Sequence, residues 1–194
     1  GLELSIDCVT KILDFLATLF CVEESMLGHS EKKRLLELDE AAMRKELEAW
    51  ANADYPRNPL HTDKLIHPTK KGDYVRSKSE VKIADMLYDA GIPYRYEMEE
   101  SVNGHTYHTD FVVRHPVTGR FYRIEHCGMM DSPEYIRKIG YKLMDYSMEG
   151  YLNNKDFFMT TETSKRPLET RDVQMIIDRI LNDEVVGGAD NDYN

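Results

Sequence analysis

Three acidic side chains are placed where they could hold a divalent cation together. Glu80 lies early in a strong helix pattern, Asp110 lies in a predicted strand after an Asn-Gly turn, and Glu125 ends the next predicted strand. One carboxylate from a helix and two from neighbouring strands would form the oxygen-ligand set that Mg²⁺ prefers, with Mn²⁺ as a substitute. The chemistry that such a site supports is hydrolysis of a phosphodiester bond.

The two strand acids are predicted to face each other. If their strands pair antiparallel around the turn Pro116–Gly119, Asp110 and Glu125 lie level across the ladder, within reach of one ion. Taken alone, an acid at a strand end is more often an ordinary surface residue. Apolar neighbours on what should be a central hairpin favour the functional interpretation.

The elements that must position these acids form a mixed α/β pattern from Tyr74 onward. Ser77 or Ser79 can cap the helix that carries Glu80, and Gly91 can end it. The predicted order is αβββαβα. After the first helix come strands Tyr94–Val102, Tyr107–Arg114 and Arg120–His126, helix Pro133–Glu149, strand Asp156–Thr161 and helix Leu168–Leu181.

The rest of the chain divides into three segments. Residues 1–51 form a helical module, predicted as a hairpin of helices 2–27 and 30–51 that packs or forms a homodimer. Residues 52–73 read as an ordered linker that wraps on the α/β domain, 74–182. Residues 183–194 are an acidic tail, expected to be disordered. Because the chain begins with Gly, we expect a processed tag or an excised fragment of a longer protein.

Composition limits the partners. The 194-residue chain is 41% hydrophobic and has no apolar run long enough to span a membrane. Its three cysteines form no CxxC pair, which favours free thiols in a reducing compartment, the cytoplasm. The net charge of −10 argues against a sequence-blind grip on nucleic acid, although a bound divalent ion would offset part of the local charge.

Several stretches resemble a bacterial group within the PD-(D/E)XK, or restriction-endonuclease-like, nuclease superfamily. They are YVRSKSEVKIADMLYDAGIPYRYE, TDFVV, YRIEHCGMMDSPEY and TTET. The resemblance covers about residues 55–180. It implies an αβββαβ core with a mixed sheet flanked by helices, and Mg²⁺-dependent hydrolysis of nucleic acid, with DNA favoured over RNA.

The resemblance assigns roles to individual residues. Asp110 matches the motif Asp, Glu125 the second motif acid and Glu80 the acid of the first helix, so all three are implied metal ligands. The backbone carbonyl of His126 is implied as a further ligand. Cys127 stands where the family has its lysine, which ordinarily positions the attacking water and stabilises charge on the phosphate.

The following helix offers a replacement for that lysine. Lys142 and Tyr146, spaced KxxxY, resemble the QxxxY element of the exonuclease-like branch, and an i, i+4 pair shares one helix face. We expect Lys142 to reach the acidic site and Tyr146 to join the catalytic set. The plainer interpretation of Lys142 is a solvated helix cation.

Other polar residues are weaker candidates. His108 shares the strand face of Asp110 and could contact substrate, whereas His105 lies on the opposite face. Arg76 and Lys78 could contact phosphate. Cys127 is expected to be a buried or half-buried small residue and not a nucleophile, because no base or cationic partner for it is evident.

Three functions remain open on the sequence. The first is a metal-dependent nuclease. The second is a catalytically silent protein of the same fold that binds nucleic acid or a partner protein, which the missing lysine and the acidity favour. The third is a hydrolase of small nucleotides, for which a charge of −10 is less awkward.

Overall fold

A computed structural model describes residues 29–151 and 153–183. The predicted first helix, the hairpin it would form and most of the acidic tail lie outside these residues. The chain divides into two units, Gly1–Ala42 and Met43–Asn194, and helix α1 (His29–Asn52) runs across the division. The second unit therefore begins inside this helix, where Leu47 and Ala51 are buried.

The second unit is a mixed α/β structure, and from α2 onward its elements follow the predicted order. After α1 come a 3₁₀ helix (Thr62–Lys64), β1 (His67–Pro68), β2 (Tyr74–Val75), α2 (Lys78–Asp89), β3 (Tyr94–Val102), β4 (His105–Arg114), β5 (Phe121–Cys127), α3 (Pro133–Met148), β6 (Phe157–Thr161) and α4 (Thr170–Leu181). Strand β1 lies in the predicted linker and β2 follows directly after it. Residues 52–73 lack the alternation of apolar and polar residues that would predict a strand.

The main sheet has the strand order β3-β4-β5-β6, with antiparallel pairing except between β5 and β6, which are parallel. The pairing of β4 with β5 runs only from Arg114↔Phe121 to Phe111↔Ile124. Beyond that point β4 stays paired with β3, and β5 stays paired with β6. The sheet therefore forks, and Asp110 and Glu125 are the next two residues past the last pair.

Helices cover both faces of the sheet. On one face α2 and α4 pack on the main core, which includes Phe111, Ile124 and Phe158. On the other face Tyr146 of α3 packs against Phe157 in a smaller core. Among the described residues, no helix combines the length and the hydropathy needed to cross a membrane.

Strand β3 exchanges faces at Glu97. Tyr94 and Tyr96 belong to the main core, whereas Val102 belongs to the smaller core, although regular alternation would put all three on one face. Glu97 has a φ of 48°, a left-handed conformation that a non-glycine residue adopts at a cost. This single residue turns the distal half of the β3–β4 hairpin toward α3.

Helix α2 begins with a capping box. The Ser77 hydroxyl accepts the Glu80 N–H at 3.1 Å, and the Glu80 carboxylate accepts the Ser77 N–H at 2.7 Å. These two bonds satisfy donors that a helix start otherwise leaves open. They also fix the direction of the Glu80 side chain.

We expect Ser77→Ala to lower the free energy of unfolding by about 1 kcal/mol, because one cap bond is lost. Urea unfolding followed by circular dichroism measures the change. Ser147→Ala, at an exposed position inside α3, is the control and should change stability little. Equal losses in the two variants would contradict a specific role for the cap.

Candidate active site

Asp110 closes the gap where the sheet forks. Its Oδ2 accepts the backbone N–H of His126 at 2.7 Å, so a side chain replaces the carbonyl that a continued ladder would supply. The carboxylate is half-buried. Asp110 and Glu125 therefore lie level at the fork, as the strand register predicts.

Glu125 and Lys142 form a buried ion pair at the fork. Lys142 Nζ lies 2.5 Å from Glu125 Oε1, and the exposed fractions of the two side chains are 13% and 6%. The same ammonium donates to the carbonyl of His108 at 3.2 Å. Lys142 therefore points into the acidic site from helix α3, as expected from the sequence.

The charges at the fork perturb one another. Removal from water raises the pKa of Asp110 well above its ordinary value, and the nearby carboxylate of Glu125 raises it further. Burial acts to lower the pKa of Lys142, but the attraction of Glu125 and Asp110 exceeds that effect, and the pKa is raised. Lys142 thus stays charged at neutral pH.

Glu80 serves both the helix and the site. Its Oε2 accepts the N–H groups of Arg76 and Ser77 at 2.9 and 2.7 Å, and its charge also contributes to the raised pKa of Asp110. The carboxylate is therefore oriented by the first turn of α2 and lies near the fork.

A cleft of about 400 Å³ opens over Glu125 and Lys142. The α3 face of the cleft carries Tyr135, Lys138 and Ile139. Together with Lys142, these residues follow the i, i+3, i+4 and i+7 spacing of one helix face. This spacing is visible in the sequence and could have predicted the α3 side of the cleft. The remaining lining residues are Asn58, Leu60, Thr106, Tyr107 and His108.

Two predicted residues have other surroundings. Tyr146 is 1% exposed, its hydroxyl lies 2.5 Å from Thr109 Oγ1, and it lines a separate cavity of about 170 Å³. This geometry gives Tyr146 a packing role, and its expected catalytic role stays a prediction. Cys127 is fully buried, as the sequence predicts, and burial raises the pKa of its thiol to about 12, which supports the prediction that it is not a nucleophile.

The histidines near the site divide by face. The His126 ring lies on the far side of β5, where Nδ1 is 2.9 Å from Thr160 Oγ1, whereas the backbone N–H of His126 donates to Asp110. His108 lines the cleft. His105 instead lies 2.9 Å from Asp145.

Arg76 is not available to phosphate in this arrangement. Its guanidinium forms a two-point ion pair with Glu97 at 2.7 and 2.8 Å and donates to the carbonyls of Leu60 and His61 at 2.6 and 2.9 Å. The expectation of a phosphate contact is therefore wrong for this conformation. The sequence gives no sign that Glu97 is the partner of Arg76. No residue type is characteristic of a left-handed conformation inside a strand, apart from glycine.

The fork offers carboxylate oxygens that could bind a divalent cation. Within residues 29–151 and 153–183, no three His, Cys, Asp or Glu side chains are arranged as a ligand cluster. Glu125 Oε2, however, is buried without a hydrogen-bond partner, and Asp110 and Glu125 repel each other. A hard cation would relieve both penalties, so the oxygen donors of Asp110 and Glu125 fit such an ion.

Comparison with protein-family models, with curated proteins and with solved structures finds no match to this chain. The geometry of the fork and its cleft therefore carries the functional argument.

Asp110→Asn should stabilise the metal-free protein at neutral pH. The folded state raises the pKa of Asp110, so it binds the proton more tightly than the unfolded chain, and the ionised form costs stability. The cost is full above the folded pKa and disappears as the pH falls toward the ordinary value of 3.8. Asparagine keeps an acceptor for His126 without the charge.

Thermal unfolding in EDTA at several pH values tests this expectation. The melting temperature of Asp110→Asn should exceed that of the wild type at pH 7, and the difference should shrink in acid. A variant that melts below the wild type at every pH would show that the ionised carboxylate is not strained.

Proposed function

We propose that this protein is a metal-dependent nuclease that hydrolyses phosphodiester bonds, using Mg²⁺ or Mn²⁺. The observation that carries the proposal is the position of Lys142. Its ammonium lies 2.5 Å from Glu125 at the point where the sequence replaces the motif lysine with Cys127. A cation supplied by helix α3 thus reaches the same acidic site that a strand lysine would reach.

The acidic residues have complementary roles in this proposal. Asp110 and Glu125 would hold the divalent ion, with Glu80 nearby on α2 and the carbonyl of His126 as a further ligand. When bound, the ion would polarise the phosphate and lower the pKa of a coordinated water. Because Ser77 and Arg76 hold Glu80, and His126 holds Asp110, these carboxylates are oriented before an ion arrives.

Lys142 supplies positive charge where negative charge develops on the phosphate. It is only 13% exposed, so its field is screened less by water than that of a surface lysine. Its hydrogen bonds to Glu125 and to the His108 carbonyl hold the ammonium in place. Fixed orientation reduces the reorganisation needed during the reaction.

Wider assignments belong to the same proposal. The αβββαβ order and the mixed sheet support a restriction-endonuclease-like fold, and DNA is the favoured substrate. The free, buried thiol of Cys127 supports a reducing, cytoplasmic setting. Homodimerisation through residues 1–51 remains a prediction from the sequence.

One observation favours a catalytically silent protein of this fold that binds nucleic acid or a partner protein. Lys142 already occupies Glu125 Oε1, and Glu80 Oε2 is engaged by two backbone N–H groups. An acidic site whose carboxylates are already compensated by a lysine and by backbone N–H groups of the protein can be stable without a metal. The two functions differ in whether the fork binds a divalent ion and whether Lys142 affects turnover.

Mn²⁺ should bind to the wild-type protein in isothermal titration, and Asp110→Ala should abolish that binding because an oxygen ligand at the fork is lost. Asp131→Ala is the control, since Asp131 is exposed and hydrogen-bonded to Ser164 away from the fork. Mn²⁺ binding that survives in Asp110→Ala would contradict the proposed site.

Lys142→Gln should reduce turnover of DNA by a factor of roughly 10², the scale for loss of one charge-stabilising donor. Glutamine is chosen because alanine would leave the buried Glu125 without any partner and destabilise the fold. Arg137→Gln, an exposed cation on the same helix, is the matched control. Thermal unfolding establishes that both variants are folded.

Equal cleavage rates in Lys142→Gln and the wild type would rule out a migrated catalytic lysine. Metal binding without any cleavage of DNA or RNA by the wild-type protein would favour the silent alternative. Cleavage of dinucleotides in preference to both polymers would favour a hydrolase of small nucleotides.

A further inference from the structure

The cleft over the fork is small and walled on several sides. Its volume of about 400 Å³ lies at the low end of the roughly 300–1,000 Å³ in which proteins bind small molecules. Strand β4 supplies one wall through Tyr107 and His108, and helix α3 supplies another through Tyr135 and Lys138. A space of this size holds one or two nucleotide units and excludes a double helix.

A third wall is fixed in place by the ion pair of Arg76 and Glu97. The segment that contributes Asn58 and Leu60 to the cleft is hydrogen-bonded to both residues of this ion pair. The N–H of Asn58 donates to the Glu97 carbonyl at 3.2 Å, and Arg76 donates to the Leu60 carbonyl at 2.6 Å. Because Glu97 is buried and its partner bonds it twice, this wall does not depend on a ligand for its position.

The lining combines aromatic rings with lysines. Tyr107 and Tyr135 are half-buried, Lys138 is exposed, and Lys142 is committed to Glu125. Unpaired bases stack on aromatic side chains whatever their sequence, whereas paired bases within a duplex have no free face to offer. The lining therefore suits a base and its phosphate from a strand that is not paired.

The overall charge points the same way. Binding along a duplex draws on many Lys and Arg side chains, and this chain carries a net charge of −10. Of the two lysines that line the cleft, Lys142 is paired with the buried Glu125, whereas Lys138 is exposed. Contact with the phosphate backbone should therefore be short.

We propose that the cleft selects unpaired nucleic acid, holding one or two nucleotides of a single strand or a frayed end against Tyr107 and Tyr135 with a phosphate at Lys138. This substrate class rests on the proposed nuclease function of the same site. Paired DNA would be acted on only where its strands separate.

Binding in EDTA tests the proposal separately from cleavage. Fluorescence anisotropy with the full chain compares labelled oligothymidylates of increasing length with a blunt hairpin duplex. Single strands should bind more tightly than the duplex, and affinity should level off at a length of a few nucleotides. The logarithm of affinity should fall with the logarithm of salt concentration by a slope of only about 0.7 per contacted phosphate.

Variants identify the surface that binds. Tyr135→Ala should weaken single-strand binding by about 10-fold, while Tyr135→Phe, which keeps the ring, should bind as the wild type does. Lys138→Gln should reduce the salt slope by about 0.7. Tyr141→Ala is the control, because Tyr141 is 67% exposed on the same helix and does not line the cleft.

The outcomes separate this inference from the proposed function. Duplex binding as tight as single-strand binding, affinity that keeps rising with strand length, or equal weakening by Tyr141→Ala would overturn the inference, even if the protein cleaves DNA. Selective single-strand binding that depends on the Tyr135 ring would support it. If the same protein then cleaved no nucleic acid with Mn²⁺ present, the nuclease proposal would fail and the binding cleft would remain.

Discussion

The need to compensate carboxylates that the fold brings together governs the structure around the fork. Asp110 and Glu125 lie level where β4 and β5 part, and burial together with the repulsion from Glu125 raises the pKa of Asp110. Each acid then has a specific partner: the His126 N–H for Asp110, Lys142 for Glu125 and the start of α2 for Glu80. Ionised groups that are removed from water are stable only when they are paired with an opposite charge or hydrogen-bonded.

These partners come from three different elements, which links the site to the rest of the fold. Helix α3 must dock on the smaller core for Lys142 to reach Glu125, and Tyr146, one turn further along, supplies that docking through Phe157 and Thr109. The packing of Tyr146 therefore helps to position Lys142. Removing a buried partner here would cost more than the pair contributes, because an uncompensated charge would remain.

Backbone strain at Glu97 has a structural consequence at the cleft. The left-handed residue lies where β3 passes from the main core to the smaller core on the α3 side, and the distal part of the hairpin carries the cleft residues Tyr107 and His108. Its carboxylate then binds Arg76, and that pair fixes the segment through Asn58 and Leu60. Strain of this kind persists only where surrounding contacts determine the conformation.

The sequence by itself determined the order and approximate bounds of the elements from α2 to α4, because periodicity, caps and turns are local signals. The turn at Pro116–Gly119 also set the register that brings Asp110 level with Glu125, and the Asn103-Gly104 turn set the register of β3 with β4. The position of Lys142 followed from helix spacing and the family resemblance.

Only the tertiary structure decided what each polar group is bonded to. Arg76 pairs with Glu97, Tyr146 bonds Thr109, and Tyr135 and Lys138 share a cleft with Leu60, although long stretches of chain separate these residues. Such contacts depend on how strands twist and how helices dock. The twist of the strands and the docking of the helices are set by the combined burial of many side chains, so they cannot be predicted from any short stretch of sequence.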